Sequence, residues 1–272
     1  MLMFSILALM LTPHTMLPMS SPRCHIITLC GTLEATKETL LTTQKAGHVV
    51  KLNLSYNGLE KLPEDFFDGI SNIVALNLAR NKLQTLPRME SLVHLEILNL
   101  EGNNFTVFPA AIFALPSLTT LNLSFNNVTE VPEAIGALSQ LQLLNLMKNL
   151  ITQLPETING MEKLEEFYLS HNQLTSIPAS IGRLKRLRIL TLCDNNLQTL
   201  PDDIMGLTRL ITLNLSDNPL SAAMEWEYRL PSLQAGGTKI IGLPRQPAMA
   251  GGAASSAARE ALSAGDSTPN PA

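Results

Sequence analysis

Aromatic and charged residues are both scarce in this 272-residue sequence, at 4% and 15% of the chain. Ordinary globular domains contain about 25% charged residues. The cores of β-sandwiches and jelly rolls favour β-branched and aromatic residues, so the shortage of aromatics excludes neither fold outright but disfavours both. A nucleic-acid-binding domain is normally basic, and with a formal net charge of −4 we expect no nucleic-acid partner.

Cysteine is also rare, and its number is odd. Cys24 and Cys30 lie in the N-terminal segment and Cys193 stands alone. Three cysteines in a chain of this length do not form a disulfide framework, so a reducing compartment is the simpler interpretation. We therefore expect a cytoplasmic protein.

Residues 1–11 are apolar apart from Ser5. A membrane-spanning helix needs about 20 apolar residues, so this segment is too short to cross a bilayer. A signal peptide would carry a basic residue ahead of its apolar core, whereas the first Arg or Lys here is Arg23. We interpret residues 1–31 as an unstructured or targeting extension, and the signal peptide of a secreted protein is the alternative.

Leucine, in contrast, is abundant, with 50 copies among the 272 residues. This much apolar surface excludes a disordered chain. The leucines belong to a motif such as LNLSFN, which ends in asparagine and recurs every 22 to 24 residues. In all copies but the last, an apolar residue followed by proline comes next. The eight asparagines are Asn57, Asn81, Asn103, Asn126, Asn149, Asn172, Asn195 and Asn218.

The motif resembles the 23-residue LPxxI form of the leucine-rich repeat, in eight repeats over residues 49–220. The resemblance implies an α/β solenoid, a right-handed horseshoe with a short parallel strand per repeat on its concave face and 3-10 or irregular segments on its convex face. This form of the repeat is found in small intracellular Ras-suppressor-like and Scribble-like proteins, which the sequence therefore resembles. Neither end carries the cysteine cluster of extracellular family members, which favours an intracellular location.

Within each repeat, the pattern predicts which side chains are buried. In the fourth repeat, Leu121 and Leu123 are alternate residues of a strand and point inward. Each fully buried aliphatic side chain stabilises the fold by about 1.5–3 kcal/mol. The asparagine after the strand can donate and accept hydrogen bonds, so eight of them form a structural ladder between repeats. The inner layer is completed by Leu118, Val128, Val131, Ile135 and Leu138.

A repeat array has two open ends that need covering. Residues 33–46 predict a short helix with Thr32 as its N-cap, so residues 32–48 form an N-terminal cap. Residues 221–244 interrupt the repeat and form a C-terminal cap. The Gly/Ala/Ser/Pro-rich residues 245–272 are predicted to be disordered. We expect the last repeat to be closed by Trp226, Leu230 and Leu233.

No catalytic, phosphate-binding or metal-binding motif is present in the sequence. It lacks G-x-x-x-x-G-K-[ST] and H-E-x-x-H, and the spacing of Cys24, His25 and Cys30 is not a usual zinc pattern. The basic run over residues 183–188 is flanked by acidic residues, which indicates a solvated ridge of mixed charge. We expect neither enzyme activity nor a cofactor or metal.

The strand residues that alternate with the buried leucines face outward and are the candidate contact residues. One column of them contains six asparagines, which strands disfavour. This column of asparagines results either from duplication of the repeat, with amides that are solvated, or from selection for a polar track that hydrogen-bonds an extended partner. Aromatic residues and methionine on adjacent repeats predict an interface core beside it. The candidates are Tyr56, Asn99, Asn122, Phe125, Asn145, Met147, Lys148, Tyr168 and His171.

These features predict a monomeric, non-enzymatic protein-interaction scaffold or adaptor that binds a protein on its concave face. The family resemblance implies a role in intracellular signalling, with a small GTPase, a kinase or a phosphatase as the partner. A phosphatase-regulatory subunit is one alternative. A secreted or cell-surface recognition protein is the other, and it depends on whether residues 1–11 belong to a signal peptide.

Overall fold

The computed structural model describes residues 24–28, 32–221 and 237–242. Ten strands within these ranges form one parallel sheet in sequence order. Helix α1 (Leu33–Lys45) lies between the first two strands. The strands are β1 (Cys24–Thr28), β2 (Val49–Asn53), β3 (Ile73–Asn77), β4 (Ile97–Asn99), β5 (Thr120–Asn122), β6 (Leu143–Asn145), β7 (Glu166–Tyr168), β8 (Ile189–Thr191), β9 (Thr212–Asn214) and β10 (Lys239–Ile241).

Strands β2 to β9 come from the eight repeats, and their register aligns equivalent positions. Leu121 of β5, for example, pairs with Leu98 of β4 and Leu144 of β6. The predicted α/β solenoid with a short parallel strand in each repeat is confirmed. Because the register repeats, each sequence position of the repeat becomes a column of side chains along the sheet.

Two further strands extend the sheet beyond the repeats. β1 pairs in parallel with β2, and β10 pairs in parallel with β9. The sequence places residues 24–28 in an unstructured or targeting extension, but they form a strand. The reason is that the edge of β2 offers unpaired N–H and C=O groups, which the segment's own sequence does not reveal. Residues 1–23, 29–31, 222–236 and 243–272, including Trp226, lie outside the described part of the chain.

Helix α1 lies within the segment predicted as the N-terminal cap, and the structure shows how it is connected. The Thr32 side-chain oxygen accepts a hydrogen bond from the Ala35 N–H at 3.2 Å, which caps the helix. Because β1 and β2 are parallel neighbours, α1 is their crossover connection. Leu40 is fully buried, and the Gln44 side chain hydrogen-bonds to the backbone of the first repeat.

Short 3-10 helices form the side opposite the sheet in five of the repeats. Each starts after the proline of the apolar-proline pair, where a missing N–H does not disturb the helix. Each buries one isoleucine, so it contributes to the same core as the strand. They span Ala110–Ala114, Glu133–Ala137, Glu156–Gly160, Ala179–Arg183 and Asp202–Gly206.

Glycine allows neighbouring 3-10 helices to touch. A Cβ added to Gly160 would lie 2.3 Å from the carbonyl oxygen of Gly136. One added to Gly182 would lie 2.1 Å from the carbonyl oxygen of Asp203. Both distances are far below the optimal separation of non-bonded heavy atoms, about 3.5–4.0 Å for carbon pairs. Close packing of the backbone therefore requires glycine at these positions.

The core is a continuous apolar layer between the sheet and the 3-10 helices. The seven residues predicted to be buried in the fourth repeat have exposures of 0 to 7%. Phenylalanine contributes to this layer as well. Five of the seven phenylalanines among the described residues have exposures of 0 to 4%, so the scaffold uses most of them. They are Phe66, Phe67, Phe105, Phe108 and Phe167.

The ladder asparagines connect consecutive repeats, as Asn149 illustrates. Its side-chain nitrogen donates to the carbonyl oxygens of Leu123 in the preceding repeat and Leu146 in its own, both at 3.0 Å. Its side-chain oxygen accepts from the Val128 N–H at 3.0 Å. Asn57 is exposed, and its side chain donates only within its own turn. The bridging asparagines are Asn81, Asn103, Asn126, Asn149, Asn172, Asn195 and Asn218.

Candidate partner-binding face

The candidate site is the outward face of the sheet, here called the concave face, together with the turns at its carboxyl edge. The residue before each ladder asparagine is left-handed in all eight repeats, with φ from 53° to 65°. This conformation costs a residue with a side chain about 1–2 kcal/mol. Only one of the eight is glycine. Together they form the edge row: Tyr56, Arg80, Gly102, Phe125, Lys148, His171, Asp194 and Asp217.

The outward asparagines cap the turns that follow their own strands. The side-chain oxygen of Asn122 accepts the backbone N–H of Ser124 at 3.1 Å. This Asx turn explains why asparagine recurs at a strand position. Asn99, Asn122 and Asn145 are only 2, 3 and 7% exposed, so these predicted contact residues offer a partner little surface. The same turn is formed by Asn53, Asn77, Asn99, Asn145 and Asn214.

Thr191 occupies this column in β8, and its buried hydroxyl oxygen has no hydrogen-bond partner among the described residues. Thr191→Asn would restore the carbonyl acceptor that the Asx turn uses in six other repeats. We expect the free energy of unfolding to rise by about 0.5–1.5 kcal/mol, measured by urea denaturation. Thr212→Asn, in the neighbouring β9 but in a different column, is the matched control. An equal change in both variants would contradict the explanation.

Phe125 of the edge row lies between two cations. The Lys148 Nζ is 4.8 Å from the centre of its ring, and the Arg80 guanidinium carbon is 5.4 Å from it, as in cation–π contacts. Arg80 reaches this ring across Gly102, where an added Cβ would lie 2.8 Å from Arg80 Cδ. Arg80 also pairs with Glu101 at 2.6 Å. Glycine at this position therefore lets side chains from separate repeats form one surface.

Two further candidates for the predicted interface core, Tyr168 and His171, have acidic neighbours. The Tyr168 hydroxyl donates to a carboxylate oxygen of Glu166 at 2.6 Å. Burial, followed by this hydrogen bond and the carboxylate charge, raises the pKa of Tyr168 above its ordinary value. His171 Nδ1 lies 2.5 Å from Asp194 Oδ2, and Met147 is half-buried. Tyr168 and His171 are thus each paired with a separate carboxylate and do not contact each other through these hydrogen bonds.

A depression of about 250 Å³ lies at the N-terminal end of the concave face, over β1 to β4. Its floor is low because Ala75 and Ala79 occupy outward positions where the other repeats have larger residues. Tyr56 and Ile26 stand at its border with exposures of 78% and 62%. Its charged residues are Lys51, Arg80 and Glu101.

The sequence predicts Tyr56 as a contact residue but not the depression beside it. Ile26 belongs to β1, in a segment that the sequence places in the N-terminal extension, so its neighbours become known only from the strand pairing. The signal that could have been used is the pair of alanines, Ala75 and Ala79, in the second repeat. They are the smallest residues in their two outward columns.

The described part of the chain offers neither a cluster of metal ligands nor a membrane-spanning helix. It contains no group of three or more potential metal ligands, and none of its helices is long and apolar enough to cross a membrane. In the basic run, Arg188 pairs with Glu165 at 3.6 Å. Lys185 donates to the carbonyl oxygens of Gly182 and Gly206, so its side chain connects two neighbouring 3-10 helices.

The stacked strands, the asparagine ladder and the open concave face define a repeat protein with the features of an interaction module. The leucine-rich repeat region family matches residues 70–173, and a leucine rich repeat family matches residues 162–220. The chain is a leucine-rich repeat protein. This family and fold are typical of non-enzymatic protein-interaction modules. Among curated proteins, no sequence matches the chain significantly.

Solved structures of other proteins share the fold. A protein of Leptospira interrogans is 32% identical over 71% of this chain and 53% of its own, with a TM-score of 0.54. An internalin of Listeria monocytogenes is 22% identical over 74% and 55%, with a TM-score of 0.59. The plant peptide hormone receptor RGFR1, solved in complex with RGF2, is 25% identical over 63% and 33%, with a TM-score of 0.52. The chain spans about half the length of the first two proteins.

Proposed function

We propose that the chain is a protein-interaction scaffold that binds a partner protein on its concave face. The observation that carries the proposal is one open sheet whose outward face presents both the depression and the exposed side chains of the edge row. A pre-formed surface of this kind binds without a large ordering cost. The similarity to a plant peptide hormone receptor solved with RGF2 supports a protein or peptide ligand.

We also propose intracellular signalling as the setting, with a small GTPase, a kinase or a phosphatase as the partner. The resemblance of the repeat to the Ras-suppressor-like and Scribble-like form supports this. Cys24 and Cys193 are free thiols, in keeping with a cytoplasmic location. Asn53, Asn122 and Asn214, each in an N-x-[ST] sequence, use their side-chain oxygens in Asx turns, so we assign them to the scaffold.

The test removes edge-row side chains without straining the turns. A variant with Tyr56→Gly, Phe125→Gly, Lys148→Gly and His171→Gly adopts the residue that the chain already uses at Gly102, and glycine accepts positive φ. Tagged protein is purified from cells and its partners are quantified by mass spectrometry. We expect the variant to recover about tenfold less of the wild-type partners, a loss that corresponds to about 1.4 kcal/mol of binding free energy.

The matched control removes exposed apolar side chains that lie outside the strands and the edge row. Val93→Ser with Val107→Ser changes residues that are 40% and 74% exposed, and it should retain the partners. Thermal unfolding should show that both variants are folded. If the edge-row variant and the control recover the same partners in the same amounts, the binding surface lies elsewhere and the proposal is wrong.

A further inference from the structure

We propose that the depression over β1 to β4 binds an extended segment of the partner protein in which an apolar side chain lies next to a carboxylate. This inference rests on the proposed function and specifies the ligand. The four strands under the depression lie about 4.8 Å apart, which gives it a length of about 14 Å. About four residues of an extended segment, at about 3.3 Å each, cover that distance.

The apolar part of the ligand is inferred from the border and the floor. Ile26 and Tyr56 are two of the six large hydrophobic side chains that are exposed among the described residues, and both line this depression. Beside them, in the repeat of β3, the floor contains Ala75 and Ala79, which leave room for a side chain from the ligand. Burial of Ile26 and Tyr56 against the ligand would supply the hydrophobic part of the binding free energy.

The carboxylate is inferred from the balance of charges. Arg80 Nη2 lies 2.6 Å from Glu101 Oε1, so these two side chains neutralise each other. Lys51, which is half-buried between Ile26 and Ala75 in the register of the sheet, has no acidic partner within 4.0 Å among the described residues. One positive charge of the depression is therefore available, and a carboxylate of the ligand complements it.

The amides of the floor favour the same kind of ligand. The side-chain oxygens of Asn53 and Asn77 accept backbone N–H groups within their own turns. Each side chain can still donate through its nitrogen. Donors that face the depression match carboxylate and peptide carbonyl oxygens, so the polar groups and Lys51 favour an oxygen-rich ligand.

The first experiment measures binding of the full-length chain to four mixtures of immobilised octapeptides. Their central pair is Leu–Glu, Leu–Lys, Ser–Glu or Ser–Lys, and the other positions are mixed. We expect the Leu–Glu mixture to retain about fivefold more protein than the Leu–Lys and Ser–Glu mixtures, an effect of the size expected for one half-buried charge or apolar contact. Equal retention by all four mixtures, or by none, would overturn the proposal.

The second experiment changes the depression with residues that the chain itself uses at equivalent positions. Ala75→Leu copies Leu143 and should reduce retention of the Leu–Glu mixture about tenfold by filling the floor. Lys51→Glu should reverse the preference toward Leu–Lys, a result that a folding defect would not produce. The controls are Thr212→Leu, in the same column of β9, and Arg186→Glu. Neither control should alter the preference.

Failure of this inference can be separated from failure of the proposed function. If Ala75→Leu leaves octapeptide binding intact while the edge-row glycine variant loses its cellular partners, the concave face still binds a protein but the depression is not the peptide site. If neither variant changes any binding, both proposals are wrong. Self-association of the wild-type chain that Ala75→Leu abolishes would identify a second copy as the occupant and would overturn the peptide assignment.

Discussion

Asn149→Ala is expected to lower the free energy of unfolding by about 1–3 kcal/mol, because it leaves the buried Val128 N–H without a partner and each buried, unsatisfied group costs about that much. The side chain is 5% exposed. It links the carbonyl oxygens of Leu123 and Leu146 and the N–H of Val128. After the substitution, the two carbonyl oxygens keep the side-chain nitrogens of Asn126 and Asn172 as donors. Water cannot readily reach the Val128 N–H between two repeats, so the loss of this hydrogen bond is not compensated.

The matched control for Asn149→Ala is Asn57→Ala, at the equivalent position of the first repeat. The Asn57 side chain is exposed and donates only to the carbonyl oxygen of Ser55, so its removal should change stability by less than about 0.5 kcal/mol. Urea denaturation followed by circular dichroism measures both. Similar losses in the two variants would show that the bridges between repeats are not the source of the stabilisation.

Gly160→Ala is expected to lower the free energy of unfolding by about 1–3 kcal/mol, the usual cost of forcing an atom into a packed interior. The new Cβ would lie 2.3, 2.9 and 3.0 Å from the O, C and Cα atoms of Gly136. Backbone atoms cannot rotate away as a flexible side chain can, so neighbouring 3-10 helices must separate. The smaller entropy of the unfolded alanine chain, worth about 0.4–1 kcal/mol, offsets only part of this cost.

Gly47→Ala is the control for Gly160→Ala, because it separates steric contact from backbone strain. Gly47 has a φ of 70°, and an added Cβ would meet no atom within 4 Å. The free energy of unfolding of Gly47→Ala should therefore fall only by the cost of a left-handed alanine, about 1–2 kcal/mol. Thermal and urea unfolding of the two variants provide the comparison. A smaller loss in Gly160→Ala than in Gly47→Ala would mean that the repeats can separate at this point at little cost.

The parts of the fold that could be predicted from the sequence are those that repeat. Leu121, Leu123 and Asn126 recur at a constant spacing, and a constant register turns that spacing into columns. Once the motif is interpreted in one repeat, burial of the leucines and the bridging role of the asparagines can be predicted for the others. The exception is Asn57, which has the same sequence context but lies exposed in the first turn.

The contacts of the concave face were harder to predict because they join residues far apart in the chain. Arg80 reaches Phe125 only because Gly102 lies between them. The column of outward asparagines suggested a polar track, but each side-chain oxygen accepts an N–H of its own turn, as in Asn122. That geometry depends on where the strand ends. The candidate contact residues themselves stay a prediction that the edge-row variant tests.

The sequence by itself determined that this protein is a leucine-rich repeat solenoid, because the periodic leucines can be buried only if successive repeats stack. The scarcity of aromatic and charged residues follows from this scaffold, which is built mainly from aliphatic side chains. Only the tertiary structure decided that β1 extends the sheet and that Ile26 and Tyr56 border a depression. The physical reason is that a depression depends on side-chain sizes in adjacent repeats, and these vary while the repeat stays constant.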